Sequence, residues 1–484
     1  MSISKLNSEH VYLNGNHTHD FVLPEQYGLP KSSAEQKLSP LDMNMPRLYG
    51  TRWILCFPLS ADAEKIQIYE DLKAGLAHTI AAIPWIAGNV ASQEGCDPEH
   101  NRIQVVDGAG GVMFRFKDLT KILPSYVELR AEHFPLAKLP TAQLSPVNVL
   151  PQPPQPVMAA QANFIEGGLL LTIAVHHSVC DGSGVDTIMD NWANNTAALG
   201  KGASFTQHDH PSNDRSRLMT GNPGANLANY PEYILTPSPR GTSTDVNTHQ
   251  MAEMPFQLPP MTAHIFYFSP ESLAVLKHSA ASHSTNDALM AFTWKHMTLA
   301  RNPPSSTKIS SSDEDKTSAL LFAANIRDST SPPLPVTYLG NASMAVITER
   351  LLVSTLTSNS GLAQAAAAIR TSITALKTPD RVSLTIGLLN SRPDPTDFKF
   401  AYNAFLGPDV SATSWAKFGI YERSWGVLGK PESFRIPGEG ADGVIIVFPQ
   451  LNEGGLEVMI GLENSSVKRL LANGEFAKAA TLWG

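Results

Sequence analysis

LLLTIAVHHSVCDGSG, Leu169–Gly184, decides how the rest of the chain is read. An apolar run stops abruptly at two adjacent histidines, and an Asp-Gly pair begins four residues after the second. The pattern predicts a strand that delivers His177 to the end of a sheet. Asp181 and Gly182 then turn the chain into a helix that starts near Val185 and runs to Ala198. Just upstream, Val157–Ile165 and Gly168–Val175 are joined by Glu166-Gly167, which predicts an antiparallel hairpin.

An ordinary imidazole titrates near ~6.5, so at neutral pH it can serve as a base without much tuning. The bare spacing His-x-x-x-Asp carries little weight, since 15 histidines give about one such match by chance. The plain alternative is a satisfied core histidine beside a turn or helix-capping aspartate. The setting, a long apolar strand running into a turn, favours the base. Asp181 could orient the ring as in a triad, or pin the loop through an arginine, and the residues leave both open. Cys180 reads as a small residue packed inward rather than a nucleophile.

Working outward, 484 residues exceed the ~250–300 that one hydrophobic core supports, which predicts two domains. The formal charge of −8, with no basic stripe, argues against a nucleic-acid partner. Cys56, Cys96 and Cys180 are too few and too scattered for a disulfide framework or a zinc site, and no metal site is expected. The first twenty residues are polar, with no apolar core of a signal peptide, and no stretch approaches the ~20 apolar residues of a membrane helix. A cytoplasmic monomer without membrane attachment is expected. Between Gly200 and Pro260 the composition turns to Gly, Pro, Ser, Asn, Thr and Asp. This predicts an N-terminal domain over 1–205, a crossover linker over 206–255 and a C-terminal domain over 256–484.

In the first domain Trp53–Phe57 reads as a strand. Ile66, Tyr69, Leu72, Leu76 and Ile80 mark a helix capped by Ser60 or Asp62. Ile103–Val106 and Val112–Phe116 read as a hairpin, and Tyr126–Phe134 as a short helix. In the second, His264–Phe268, Leu320–Ile326, Ala342–Ile347, Trp415–Tyr421, Gly443–Phe448 and Leu456–Leu462 read as strands. Pro270–Ala280, Ser284–Arg301, Gly361–Leu376 and Glu475–Leu482 read as helices. The fold class is α/β in both halves.

HHSVCDG resembles the HHxxxDG motif shared by chloramphenicol acetyltransferases, peptide-synthetase condensation domains and BAHD acyltransferases. YERSWGVLGKPESFRIP, Tyr421–Pro437, resembles the C-terminal DFGWGKP motif of the BAHD enzymes in its fungal, trichothecene 3-O-acetyltransferase-like form. Supporting segments follow in family order: LSPLDMNMPRLYG, IPWIAGNV, STNDALMAFTWKHMTLAR, ANIRDSTSPPLPVTYLGNA and VIIVFPQLNEGGLEVMIGLE. Together they cover about residues 38–465.

The resemblance implies two chloramphenicol acetyltransferase-like domains, each a mixed sheet flanked by helices, with a channel between them. It implies direct acyl transfer from acyl-CoA, most simply acetyl-CoA, to an alcohol or amine of a small secondary metabolite. No acyl-enzyme and no permanently bound cofactor are required. His177 maps to the general base. Asp181 maps to a structural anchor with Arg327 as its partner, and Gly182, Trp425 and Gly426 map to structural support. His176 is left as a bystander. Asn341 of the Gly340-Asn341 pair matches a wall of the family's donor channel, with a plain turn as the alternative. Ser284 and Thr285 start a helix, where they are N-caps or hold a CoA phosphate, and Lys430 is a phosphate contact or a solvated lysine. Ser424 departs from the family, which has Asp there. The departure bears on loop geometry first, with lost or changed activity as the sharper alternative. Two other readings share the fold: an acyl donor held on a carrier protein or an intramolecular condensation, and a non-catalytic small-molecule binder.

Overall fold

The computed structural model describes residues 17–108, 110–199, 204–206, 210–236, 258–303, 316–438 and 440–484. At its centre lies the hairpin Met158–Ile165 and Gly168–Val175, every residue of which is buried. Gly167, at φ 70°, makes the turn, a left-handed conformation that glycine adopts without a Cβ penalty. Thr51–Pro58 pairs antiparallel to the second arm, and Val112–Asp118 runs parallel to the first. His17–Val22 and Ser433–Arg435 form the edges of this six-stranded sheet.

One face of the sheet is covered by the helices Lys65–Ala82 and Gly182–Ala198. They approach so closely that a Cβ on Gly75 would lie 2.2 Å from Thr196 Oγ1 and 2.8 Å from its backbone N. Trp192 Nε1 donates to Leu72 O across that contact. Trp53, Leu55, Phe57, Leu72, Leu76, Phe114, Phe164, Ile188 and Trp192 form the first core. Burying such side chains stabilises by roughly 1.5–3 kcal/mol each.

The second sheet has seven strands, in the order Ser343–Ile347, Leu320–Asn325, Val410–Ser414, Val444–Val447, Leu456–Glu463, Met261–Phe268 and Thr481–Leu482. Its core gathers Phe268, Phe292, Trp294, Met297 and Val458 with residues of the helices Pro270–Ser279, Thr285–Arg301 and Gly361–Leu376. Ser269 and Ser284 cap the first two of these helices. The architecture is α/β with a sheet in each half. The division by chain position is not strict, because Ser433–Arg435 leaves the second half and pairs with Ile54–Cys56 of the first sheet. Arg435, fully buried, ion-pairs with Glu457 of the second sheet and donates to the carbonyls of His133 and Phe134.

Several expectations give way. Ile103–Val106 and Val112–Asp118 are strands but no hairpin, since the first joins a separate four-stranded sheet. Trp415–Tyr421 is not a strand. The strand is the preceding Val410–Ser414, while Trp415 and Phe418 turn back onto Trp53 of the first core. The densest apolar stretch there is a plug, and the strand itself is built from small residues between two parallel neighbours. Neither Ser60 nor Asp62 caps the helix Lys65–Ala82, whose N-cap position is Glu64. Glu475–Leu482 divides into the helix Gly474–Ala479 and the edge strand Thr481–Leu482. The helices Pro379–Asn390 and Asn464–Leu471 carried no expectation. Of the 206–255 stretch, 207–209 and 237–255 lie outside the described residues. Within the described part, Tyr233–Leu235 pairs with Phe398–Phe400, and Ser212, Arg215, Leu218 and Tyr230 are buried. Among the described residues no helix is long and apolar enough to cross a membrane.

Candidate active site

The end of the strand Gly168–Val175 is fixed group by group. His176 N donates to Val157 O and His177 N to Leu48 O. Asn341 Nδ2 donates to His177 O at 2.9 Å. Ser178 Oγ donates to Met45 O at 3.3 Å. Asp181 is the N-cap of Gly182–Ala198, its Oδ1 accepting from Gly184 N at 2.9 Å, so the helix starts three residues earlier than the apolar periodicity suggests. A Cβ on Gly184 would meet Cys180 Sγ and Leu339 O, each at 2.5 Å.

Asp181 does not face the imidazole. Arg327 grips it with two hydrogen bonds, Nη1 to Oδ2 at 2.9 Å and Nη2 to Oδ1 at 2.8 Å, and Ala342 N donates to Oδ2. Arg327 also donates to the carbonyls of Tyr338 and Gly340. Both partners are buried. Burial pushes the Asp181 carboxyl up, and Arg327 with the two backbone amides outweighs it, leaving the group below the usual carboxylate range. A fork-to-fork pair satisfied on every side is the arrangement in which a buried ion pair persists.

A second buried pair supports the loop from the other side, and sequence reasoning missed it. Asp42 accepts from Arg215 Nη1 at 2.7 Å, from Ser39 N and Oγ, and from both N and Nδ2 of Asn341. Arg215 Nη2 donates to Val179 O at 2.8 Å and its guanidinium lies over Trp85. Asp42 sits in LSPLD, whose Ser39 and Asp42 form a capping box, and that pattern was the available signal. Arg215 lies in a segment whose composition reads as linker and gave none. Asn341 is fully buried, with its amide hydrogens on Asp42 and His177 O. Its side-chain amide braces the backbone of the histidine from beneath.

His177 is half-buried. Its Nδ1 is buried with no hydrogen-bond partner, and its Cδ2 lies 3.1 Å from where a Cβ on Gly50 would stand. His176 is fully buried, edge-on to Tyr49 at 5.4 Å, and its Nδ1 accepts from Ser178 N. Burial first, then the proximity of His177 and Arg47, pushes it down to about 3, so it stays neutral. Burial raises the Cys180 thiol well above its ordinary range, which leaves no thiolate for nucleophilic work.

The other resembled motif lies along the same helix. Trp425 is fully buried, edge-on to Trp192 at 5.4 Å and to Phe57 at 6.0 Å. Gly426, at φ 68°, packs toward Thr196 and Ala197. Arg423 pairs with Asp186 at 2.6 Å and Asp190 at 3.0 Å. Ser424 is exposed. Lys430 is exposed, 3.8 Å from Glu422. Ser284 Oγ accepts from Asp287 N as the N-cap before Thr285 and also from Arg370 Nη2. The structure thus gathers Asp181, Arg327, Asn341 and His177 at one loop. It puts Trp425 and Gly426 on the far part of its helix. Among the described residues, Ser284, Thr285 and Lys430 form no hydrogen bond or ion pair with that loop. Among the described residues no group of three or more His, Cys, Asp or Glu could hold a metal ion.

The sequence model of the Transferase family matches residues 21–477. Acyltransferase easC of Emericella nidulans is 30% identical over 474 residues, covering 93% of this chain and 96% of that protein. Eremophilane O-acetyltransferase ORF8 of Penicillium roqueforti is 28% identical, covering 92% and 98%. The crystal structure of Fusarium graminearum TRI101 complexed with coenzyme A and T-2 mycotoxin superposes with a TM-score of 0.79 at 22% identity, covering 93% and 100%. That of vinorine synthase does so with a TM-score of 0.63 at 17% identity, covering 95% and 97%.

Proposed function

From the premise that this chain belongs to the Transferase family, as a BAHD-type acyltransferase of the fungal branch, we propose that it transfers an acetyl group from acetyl-CoA to a hydroxyl of a small secondary metabolite. His177 is the general base. The observation that carries this is the division of labour at the loop. The Asp181 carboxylate is fully engaged by Arg327, Gly184 and Ala342, while the half-buried imidazole of His177 has its Nδ1 unpartnered. The base therefore works without a carboxylate behind it.

The neutral imidazole takes the acceptor's hydroxyl proton as the oxygen attacks the thioester carbonyl carbon. The tetrahedral oxyanion collapses with loss of the C–S bond, and the imidazolium returns the proton to the CoA thiolate. No bond to the enzyme forms. Acetyl and an alcohol are supported by the eremophilane O-acetyltransferases among the relatives, and CoA by the superposing TRI101 structures, which are complexed with it. Ser284, Thr285 and Lys430 are the proposed contacts to the CoA phosphates. A helix N-terminus and a lysine each suit an anion. We place the chain in the cytoplasm as a monomer, with the domain limits 1–205 and 256–484 on either side of the crossover.

The test follows free thiol on incubation with acetyl-CoA and candidate alcohols. His177→Ala is expected to abolish transfer while leaving the unfolding temperature within a few degrees. Turnover equal to wild type would overturn the mechanism.

A further inference from the structure

In a catalytic triad a carboxylate bonded to the imidazole holds the ring in one orientation. Here Asp181 is engaged by Arg327, Gly184 and Ala342, and the His177 Nδ1 that such a carboxylate would bond has no partner among the described residues. The ring is set instead by where its backbone is held. His177 N donates to Leu48 O, and His177 O accepts from Asn341 Nδ2. Ser178 Oγ, next along the chain, donates to Met45 O. Met45 and Leu48 follow directly on the helix Pro40–Asn44, and that helix carries Asp42.

Asp42 reaches the histidine at one remove. It is fully buried. Its Oδ2 accepts from Arg215 Nη1 at 2.7 Å and from Ser39 N and Oγ at 2.8 Å each. Its Oδ1 accepts from Asn341 N and Nδ2, both at 2.9 Å. A carboxylate paired with a guanidinium only accepts, so the Asn341 amide must turn its nitrogen toward Asp42. The second hydrogen of that nitrogen then falls on His177 O, at 2.9 Å. Turned over, the amide would set its oxygen against two acceptors. Asn341 Oδ1 is left buried and without a partner among the described residues, a condition that calls for a reason beyond packing. Gly340 makes room for the arrangement, since a Cβ there would stand 2.5 Å from Arg215 Nη1.

We propose that Asp42 is a positioning residue of the acyl-transfer reaction. Through the Asn341 amide it fixes the backbone of His177, and so the direction in which the imidazole meets the acceptor hydroxyl. This rests on the acyl-transfer reading above. Arg215 balances the charge, which makes the crossover segment part of the site. Asp42 acts through Asn341 and not on the substrate.

The experiment uses the full chain as wild type, Asp42→Asn, Asn341→Ala and the double variant. Thiol release from acetyl-CoA with candidate alcohols gives kcat and KM, with kcat scaled to the folded fraction from urea unfolding. Each single variant should lower kcat per folded molecule by about 10- to 100-fold, the effect of a misplaced catalytic group. KM for acetyl-CoA should change by less than about twofold. The double variant should fall no further than the lower of the two singles, because both changes break one connection. In parallel, the ring nitrogens of His177 are followed by NMR of isotope-labelled protein and assigned with His177→Gln. Wild type should give one sharp pair of signals, and Asn341→Ala a pair shifted or broadened by exchange between orientations. A merely structural role would lower the folded fraction and leave both kcat per folded molecule and the ring signals as in wild type. A kcat per folded molecule within about twofold of wild type in Asn341→Ala, losses that multiply in the double variant, or unchanged ring signals in Asn341→Ala would each overturn the proposal. If Asp42→Asn does not fold, Asn341→Ala decides on both readouts. If no alcohol in the panel is turned over, the ring signals decide. Failure of the acyl-transfer reading shows instead as His177→Ala releasing thiol like wild type.

Discussion

The two motifs at the ends of the helix Gly182–Ala198 are held by different physics. At its N-terminus the histidine loop is tied by two buried ion pairs and by hydrogen bonds to its own backbone groups. Along its later turns the Ser424-Trp425-Gly426 loop is tied by aromatic packing, with an ion pair from Arg423 at the rim. Hydrogen bonds are directional and fix where a backbone atom sits. Apolar contact fixes that two surfaces stay together and tolerates small slides. The loop that carries the proposed base has the first kind of support, and the loop that packs on the core has the second.

The comparison is broken hardest at Arg327. Arg327→Met leaves the Asp181 carboxylate unpaired in the interior, and the expected loss is about 3–5 kcal/mol in urea unfolding. Thiol release should fall by at least about a hundredfold, since the helix cap and His177 share the loop. Adding Asp181→Leu should recover part of the stability, because the bare charge is gone, and none of the activity. A loss below about 1 kcal/mol in the single variant would show that packing, not the ion pair, anchors this end.

Trp425→Phe is the matching change at the other end. It keeps an aromatic ring against Trp192 and Phe57 but leaves a void, for an expected loss of about 1–3 kcal/mol. Here kcat should fall less than about tenfold. If activity fell as far as in Arg327→Met, the two loops would be equally coupled to the chemistry and the contrast would fail.

The histidine loop also carries a buried imidazole that titrates. His176 is held down to about 3 by burial, against ~6.5 for an ordinary imidazole. Between those values the unfolded chain binds a proton that the folded chain refuses. Stability is therefore full above pH ~6.5 and declines as the pH falls toward 3, by about 1.4 kcal/mol per pH unit. His176→Gln should flatten that slope between pH 6.5 and 5 in urea titrations. An unchanged slope would mean that the ring is not the buried proton acceptor.

How far the chain could be read beforehand follows the same line. The hairpin Met158–Val175 and its histidine end are legible because apolar continuity, a glycine turn and a local cap all lie within about thirty residues. Asp181 with Arg327 was legible only through resemblance, since 146 residues separate them. Asp42 with Arg215 and Asn341 was not. Its members come from a capping box, a Pro- and Ser-rich stretch and a turn, each with a sufficient local explanation. Trp415–Tyr421 misled for the opposite reason, because its apolar density serves a contact with the other half rather than a strand of its own.

The smallest effect is expected where the sequence departs most visibly from the resembled motif. Ser424→Asp restores the carboxylate at a position that is exposed. The neighbouring arginine is already engaged, since Arg423 spans Asp186 and Asp190 on the helix. The loop thus carries its anchoring charge as a cation paired to helix carboxylates. A new carboxylate at 424 would find Arg423 engaged and water on its other side, where an added surface charge changes stability by no more than about 0.5 kcal/mol. Thiol release should stay within about twofold of wild type. A gain of tenfold or more would mean that Ser424 is a lesion in the site and that the Arg423 pairs do not replace the missing carboxylate. No change in Ser424→Asp, together with a clear loss in Arg423→Met, would place the anchor of this loop one residue earlier than the motif suggests.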